Sequence, residues 1–321
     1  MSREPRVLHM FDCAGVAATL VKEARARGLR WRYFPRLRER FATPFKGDFL
    51  VWAVWRTVAT VRAQVLHVHF GDRARWARKW PHRPFVMHLH GTDIRELYDM
   101  PQHRAAVQEG LDHAVAVLYA TPDLGDHALK ARPDAVYVPN PIAVDALPPW
   151  RPHARRRVVF ASRWDESKGL EDQLTIARML RVTLPQDVEL VGLDWGSGAA
   201  QAREAGVELV APMPPAEYEQ WLASAHVVVG QSAGVLAISE LQAIGIGVPV
   251  VMPPPHRAYE EPPVIAVPPQ EVAEAVSEVL ADPQAASARL DGPAWVRQHH
   301  DPAIAIEQLR GIYQRVLDAR A

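Results

Sequence analysis

A single cysteine, Cys13, stands among the 321 residues, so no intrachain disulfide forms and the fold must rest on buried apolar area. Long hydrophobic runs are also missing. The stretch FLVWAVW from Phe49 is cut short by Arg56, well below the length that spans a bilayer. No signal-peptide pattern is present, which makes the cytoplasm the expected compartment. Internal repeats and long low-complexity segments are absent, and no complete dinucleotide fingerprint follows the first strand. Net charge is zero, but its distribution is uneven: residues 1–150 hold 22 Lys+Arg and 15 Asp+Glu, the remainder 15 and 22. A basic first half implies an anionic partner. Its excess lies between Arg25 and Arg83, interleaved with Trp31, Tyr33, Phe34, Phe41, Phe45, Trp52, Trp55, Trp76 and Trp80. Such a mixture reads either as a face for a membrane surface or nucleic acid, or as a solvated Arg-rich surface over an aromatic core. The expectation carried forward is peripheral contact with the inner membrane face, and no nucleic acid.

What is present is a chain long enough for two domains, 48% hydrophobic, in which strand and helix patterns alternate throughout. The run from Val158 to Leu180 reads as a buried strand, a loop carrying Arg163, Lys168 and Gly169, and a helix with Leu170, Leu174, Ala177 and Leu180 at helical spacing. Two cations at the carboxyl end of a parallel strand, next to a helix N-terminus, suit a diphosphate; a solvated surface loop is the plainer alternative. A second such unit runs from His226 to Met252: strand HVVVG, loop QSAG, helix VLAISELQAIG, strand VPVVM. Glu240 sits in that apolar helix, where a carboxylate is costly unless paired.

The spacing from Arg163 to Lys168-Gly169, together with the Glu-Leu-Gln-Ala-x-Gly-x-Gly-x-Pro-Val run from Glu240, resembles the retaining GT-B glycosyltransferases of glycosyltransferase family 4, over nearly the whole chain. The resemblance implies an α/β fold of two Rossmann-like domains whose parallel sheets face a central cleft. Residues 1–147 would form the acceptor-side domain, 148–157 a Pro-rich basic linker and 158–300 the nucleotide-sugar domain. Residues 301–321 would form a terminal helix crossing back to the first domain.

Two further segments, VLHVHFGD (65–72) and PFVMHLHGTDIRE (84–96), read as strands ending in His-x-His pairs, with His67 beside His69 and His88 beside His90 by alternation. Four imidazoles on neighbouring strands suit a metal, yet no carboxylate or cysteine set accompanies them, and no metal is expected. The resembling family carries a His-Gly-x-Asp turn here, which makes His90 the residue bordering the transferred sugar, followed by Gly91, Asp93 and Arg95. The other histidines would satisfy core or cleft hydrogen bonds. Gly15, after the first strand, lets the backbone turn close to a ligand, on the acceptor side by the resemblance.

The chemistry implied is transfer of a sugar from a UDP- or GDP-linked donor to a hydroxyl of a glycan, glycolipid or small molecule, with retention and without a metal or other cofactor. Arg163 and Lys168 would stabilise the leaving diphosphate, helped by N–H groups of a helix start near Gly234. Glu240 would accept from the ribose hydroxyls. The strand ending at Gly192 delivers Asp194, Trp195 and Gly196 to a glycine-rich loop, which with the Pro-rich turn holding Met213 would receive the base by the resemblance, Trp195 either stacking on it or packing in the core. Family members carry a further Glu eight positions before Glu240, in a Glu-Gly-x-Gly turn; here it is Ser232. That departure keeps two alternatives open, a nucleotide-sugar 2-epimerase-like enzyme and a nucleotide-sugar-binding protein without turnover.

Overall fold

The computed structural model describes residues 4–40 and 46–319; Phe41 and Phe45 of the aromatic set lie outside the described residues. The chain forms two units, Met1–Pro141 with Pro302–Ala321, and Ile142–Asp301.

The first unit is built on six parallel strands, β1 (Val7–Met10), β2 (Trp31–Phe34), β3 (Val65–His69), β4 (Phe85–Leu89), β5 (Ala116–Tyr119) and β6 (Val136–Tyr137), in the order β2-β1-β3-β4-β5-β6. β1, β3 and β4 are buried along their whole length, as strands covered by helices on both faces must be. Helix Pro302–Asp318 belongs to this unit; it buries Leu309, Ile312, Tyr313 and Val316 and pairs Arg310 with Glu4. Its one long unbroken apolar face explains how a terminal helix is held without a strand beside it.

The second unit has β7 (Arg157–Phe160), β8 (Glu189–Leu193), β9 (Glu208–Val210), β10 (Val227–Val229), β11 (Val250–Met252) and β12 (Ile265–Ala266), in the order β12-β11-β10-β7-β8-β9, again all parallel. Winding reverses between β1 and β3 in the first sheet and between β7 and β10 in the second. In open α/β sheets ligands bind outside the carboxyl ends of strands at such switch points. The Pro-rich run read as a linker is pinned along the second unit instead. Trp150 Nε1 donates to the Ala225 carbonyl at 2.8 Å, and the N–H groups of Arg151 and His153 donate to Ala223 and Ser224.

Among the described residues no helix is long and apolar enough to cross a membrane. The stretch from Phe49 that is too short to span belongs to helix Lys46–Arg62.

Candidate functional site

In the second unit the loops after β7 and β10 meet at the switch point. The Ser232 N–H donates to the Lys168 carbonyl at 3.0 Å. Gly169 has φ +72°, and a Cβ there would stand 2.7 Å from Ser232 Cβ, so both its handedness and this contact demand glycine. Gly169 then caps helix Leu170–Thr183. Arg163 is held from both sides: Nη2 donates to Ser167 Oγ at 3.0 Å, lies 3.6 Å from Asp165 Oδ1, and the guanidinium sits 5.7 Å from the Trp195 ring centroid. The Ser167 hydroxyl, donating to Asp165, holds that carboxyl below its ordinary range, with Arg163 and Lys168 adding to the effect against burial. The carboxylate beside Arg163 is therefore charged at neutral pH, and the guanidinium is preorganised.

Four enclosed side-chain atoms here have no hydrogen-bond partner: Arg163 Nε, Gln173 Oε1, Gln231 Oε1 and Ser232 Oγ. An enclosed polar atom left unpaired costs about 1–3 kcal/mol. Their gathering on the two switch-point loops and the helix behind them marks a place where a polar ligand is favoured.

Glu240 is fully buried, and its pairing is internal. Oε1 accepts from the Gln231 N–H at 3.2 Å; Oε2 accepts from the Ala237 N–H at 3.1 Å and the Ser239 hydroxyl at 2.9 Å. The expected helix start near Gly234 needs correction. Gly234 has φ +69°, and the helix begins at Ile238. The N–H groups of Leu236 and Ala237 are taken by the Tyr259 hydroxyl and by Glu240, Ala237 is extended, and Glu240 stands in the first turn. Gly234 therefore offers no helix-terminal donor.

The first unit fills its switch point with imidazoles. His9, which faces His67 in the strand register, joins the four histidines foreseen, and all of them but the half-buried His90 are fully enclosed. His90 Nε2 and His69 Nδ1 are 2.9 Å apart, His69 Nε2 and His9 Nδ1 3.1 Å, and His67 Nε2 and His88 Nδ1 3.2 Å. The Tyr313 hydroxyl links His9 Nε2 to His67 Nδ1. With one proton per link every ring is neutral. Each link joins one donor and one acceptor, so the tautomers along the chain are set together. Burial pushes all five rings below the usual imidazole range, His9 and His88 to about 3. Two triplets, His9–His67–His69 and His69–His88–His90, bring ligand atoms within 4.8 Å of one another. Using either for a metal would break the links just described.

No family model matches the sequence. No curated protein matches it either. Solved structures do match. The sucrose-phosphate synthase of Thermosynechococcus elongatus is 16% identical at a TM-score of 0.71, over 99% of this chain and 100% of that one. Anabaena HepE, solved with UDP and glucose, is 13% identical at 0.68, over 97% and 100%. A putative UDP-N-acetylglucosamine 2-epimerase from Listeria monocytogenes is 14% identical at 0.62, over 99% and 98%.

The fold is GT-B. Within this GT-B chain the remaining candidates separate. Gly15 has φ +82° and precedes helix Val16–Ala26, and a Cβ there would meet nothing within 4 Å, so backbone handedness alone explains it. Phe11 and Ala14 in the same turn also have positive φ, strain that gathers where a loop is held in one unusual shape. Gly192 lies in β8, the strand expected to reach it, and a Cβ would stand 2.9 Å from the Trp164 indole, so it makes room for packing. Met213 is half-buried in the turn before helix Pro215–Ala223. Trp195 is 52% exposed with Arg163 over its ring, which removes the core-packing alternative. Asp93 locks the turn after β4 by accepting from the N–H groups of Gly71, His90 and Gly91, and Arg95 pairs with Asp123. Sequence reasoning missed His9, which strand alternation in VLHMF would have placed, and Tyr313, for which no local signal exists.

Proposed function

We propose that this GT-B chain is a glycosyltransferase resembling family 4, which moves a sugar from a UDP- or GDP-linked donor to an acceptor hydroxyl with retention and without a metal. The observation that carries this reading is the junction of Lys168-Gly169 with Ser232 beside a preorganised Arg163, at the switch point of a doubly wound sheet. A held guanidinium and a second cation beside a leaving diphosphate act mainly as charge develops on it, which is where stabilisation accelerates the step. The unpaired Ser232 hydroxyl stands where relatives place a carboxylate, so the preferred donor carries a substituent, or lacks a hydroxyl, at that point. Glu240 meets ribose by exchanging its Ser239 or Gln231 donor for a sugar hydroxyl, and His90 borders the transferred sugar by the resemblance to family 4.

A second reading, a nucleotide-sugar 2-epimerase-like enzyme, draws support from the full-length likeness to the Listeria protein. Incubation with a panel of UDP- and GDP-sugars, with and without EDTA and candidate acceptors, separates the readings. Released nucleoside diphosphate and an acceptor product of unchanged anomeric configuration are expected in both conditions. An isomerised donor would favour the epimerase, binding without product would favour a non-catalytic binder, and loss of transfer with EDTA would contradict metal independence.

A further inference from the structure

Helix Lys46–Arg62 turns its apolar side outward. Its buried positions, spaced by four, are Trp52, Arg56 and Thr60; Arg56 is only 5% exposed and its guanidinium donates to the carbonyls of Trp80 at 2.7 Å and Trp76 at 3.3 Å. Its outward positions follow the same spacing one face round. Leu50, Val54 and Val58 form one row, with Val51, Trp55 and Val61 beside them, and Leu50 is 66%, Val51 61% and Val54 56% exposed. Six large apolar residues on one face, with a polar pair turned inward, are the reverse of a water-facing helix.

Beside this face lies a hollow of about 320 Å³ whose charged lining is Arg6, Arg30, Arg32 and Arg62. It adjoins a second of about 340 Å³, where Arg25 stands with Trp55 and Val58. None of these five arginines pairs with a carboxylate among the described residues. Arg6 and Arg25 anchor through Nε to the carbonyls of Arg62 and Trp31, which leaves their remaining N–H groups free to face an anion. Guanidinium groups gathered without a counter-charge call for oxygens of opposite charge, and phosphate matches their forked donors. These arginines lie around the start of β1, around the start of edge strand β2 and at the end of the helix, which is the amino end of the sheet, away from its switch point.

A soluble anion would account for the arginines but not for the valines, whereas a bilayer with anionic headgroups accounts for both. We propose that the first unit docks on an anionic phospholipid surface, the Leu50–Val61 face of this helix entering the acyl boundary while Arg6, Arg30, Arg32 and Arg62 hold lipid phosphates. In-plane helices of this kind bind by apolar burial plus attraction to anionic lipid, with indoles at the interface; Trp55 and the exposed Trp80 suit that level. The inference stands apart from the transferase reading and its test needs no activity.

The test is co-sedimentation of the full chain with vesicles of phosphatidylcholine alone and of phosphatidylcholine mixed with phosphatidylglycerol, at rising salt. The chain should bind the mixed vesicles, bind the neutral ones far less, and lose binding as salt rises. Each basic residue near an anionic surface counts for about fivefold, so Arg30→Ala/Arg32→Ala/Arg62→Ala should lower partition by about a hundredfold. The matching Arg→Lys triple, which keeps the charge, should retain most of it and controls for folding. Val54→Ser/Val58→Ser should weaken binding to the mixed vesicles as well. Equal binding to both vesicles, or an Ala triple that binds like the parent chain, would overturn the proposal. So would inorganic phosphate binding in solution with no vesicle binding, which indicates a free-anion site. A dimer abolished by Val54→Ser/Val58→Ser, again without vesicle binding, would assign the face to a second copy of the chain.

Discussion

At the switch point of the first sheet, β1 and β3 carry His9, His67 and His69 side by side; at that of the second, β10 and β7 past Arg157 are apolar and hand over to loops carrying Arg163, Lys168 and Ser232. Both sheets have six parallel strands and one reversal of winding. They differ in where polar groups are satisfied. The first unit places its imidazoles in the interior and links them to one another. The second keeps β10 and Val158 to Phe160 of β7 apolar and leaves enclosed polar atoms without partners on the loops that follow them. An internally satisfied chain of neutral rings is vulnerable to protons, whereas loops with unsatisfied atoms respond to a ligand.

The largest expected break between the units is in acid. Because burial lowers all five rings from 6.5, His9 and His88 to about 3, the rings, which outnumber the raised and oppositely acting Asp12 and Asp93, bind fewer protons in the folded first unit than in its unfolded chain below pH 6.5. Its stability is full above that value and falls as pH drops from 6.5 toward 3, by up to about 1.4 kcal/mol per pH unit for each ring. In the second unit burial lowers His226, so its decline should be shallower. Urea unfolding at stepped pH, read for each unit by pulsed hydrogen exchange, should show the first unit failing earlier; parallel decline would break the contrast.

Next comes the loss of charge at the second switch point. Arg163→Ala or Lys168→Ala should raise the barrier to transfer by about 3 kcal/mol, as does the loss of one preorganised donor, and lower kcat by about a hundredfold. Urea midpoints at neutral pH should hardly move. Unchanged kcat in both variants would remove the diphosphate from this site.

Glu240→Gln sharpens the comparison within the second unit. It keeps one acceptor oxygen but replaces the other with a donor facing the Ala237 N–H or the Gln231 N–H. Affinity for UDP or GDP should fall by about 1–3 kcal/mol, with and without an attached sugar. Normal calorimetric titration would show that the carboxylate serves only to hold the loop.

The smallest effect is expected at Ser232. Its hydroxyl has no partner, so Ser232→Ala should leave stability and nucleoside diphosphate affinity unchanged while altering the ranking of donor sugars in a competition assay. An identical ranking would place the donor sugar elsewhere.

Much of this architecture was legible in the residues. Alternating strand and helix patterns gave the parallel sheets, because a parallel strand buried on both faces must be apolar throughout, as Val158 to Phe160 are. The loops at Arg163 and Ser232 were found from charge and glycine spacing. Contacts set by distant chain were not: the Tyr259 hydroxyl, 23 residues from Leu236, delays the helix start, and Tyr313, 246 residues from His67, completes the imidazole chain. The packing role of Gly192 was not legible, because nothing local announces that Trp164 will lie over it. The reversed helix at Lys46–Arg62 was read only as an apolar run, since which face is buried depends on the carbonyls of Trp76 and Trp80.

The most direct test of a diphosphate site at the second switch point is hydrogen exchange of the intact chain with and without UDP and GDP. Slowed exchange is expected in residues 162–170 and 231–237, with no change in β1, β3 or β4. Protection confined to the first unit, or absent from both loops with either nucleotide, would contradict the account.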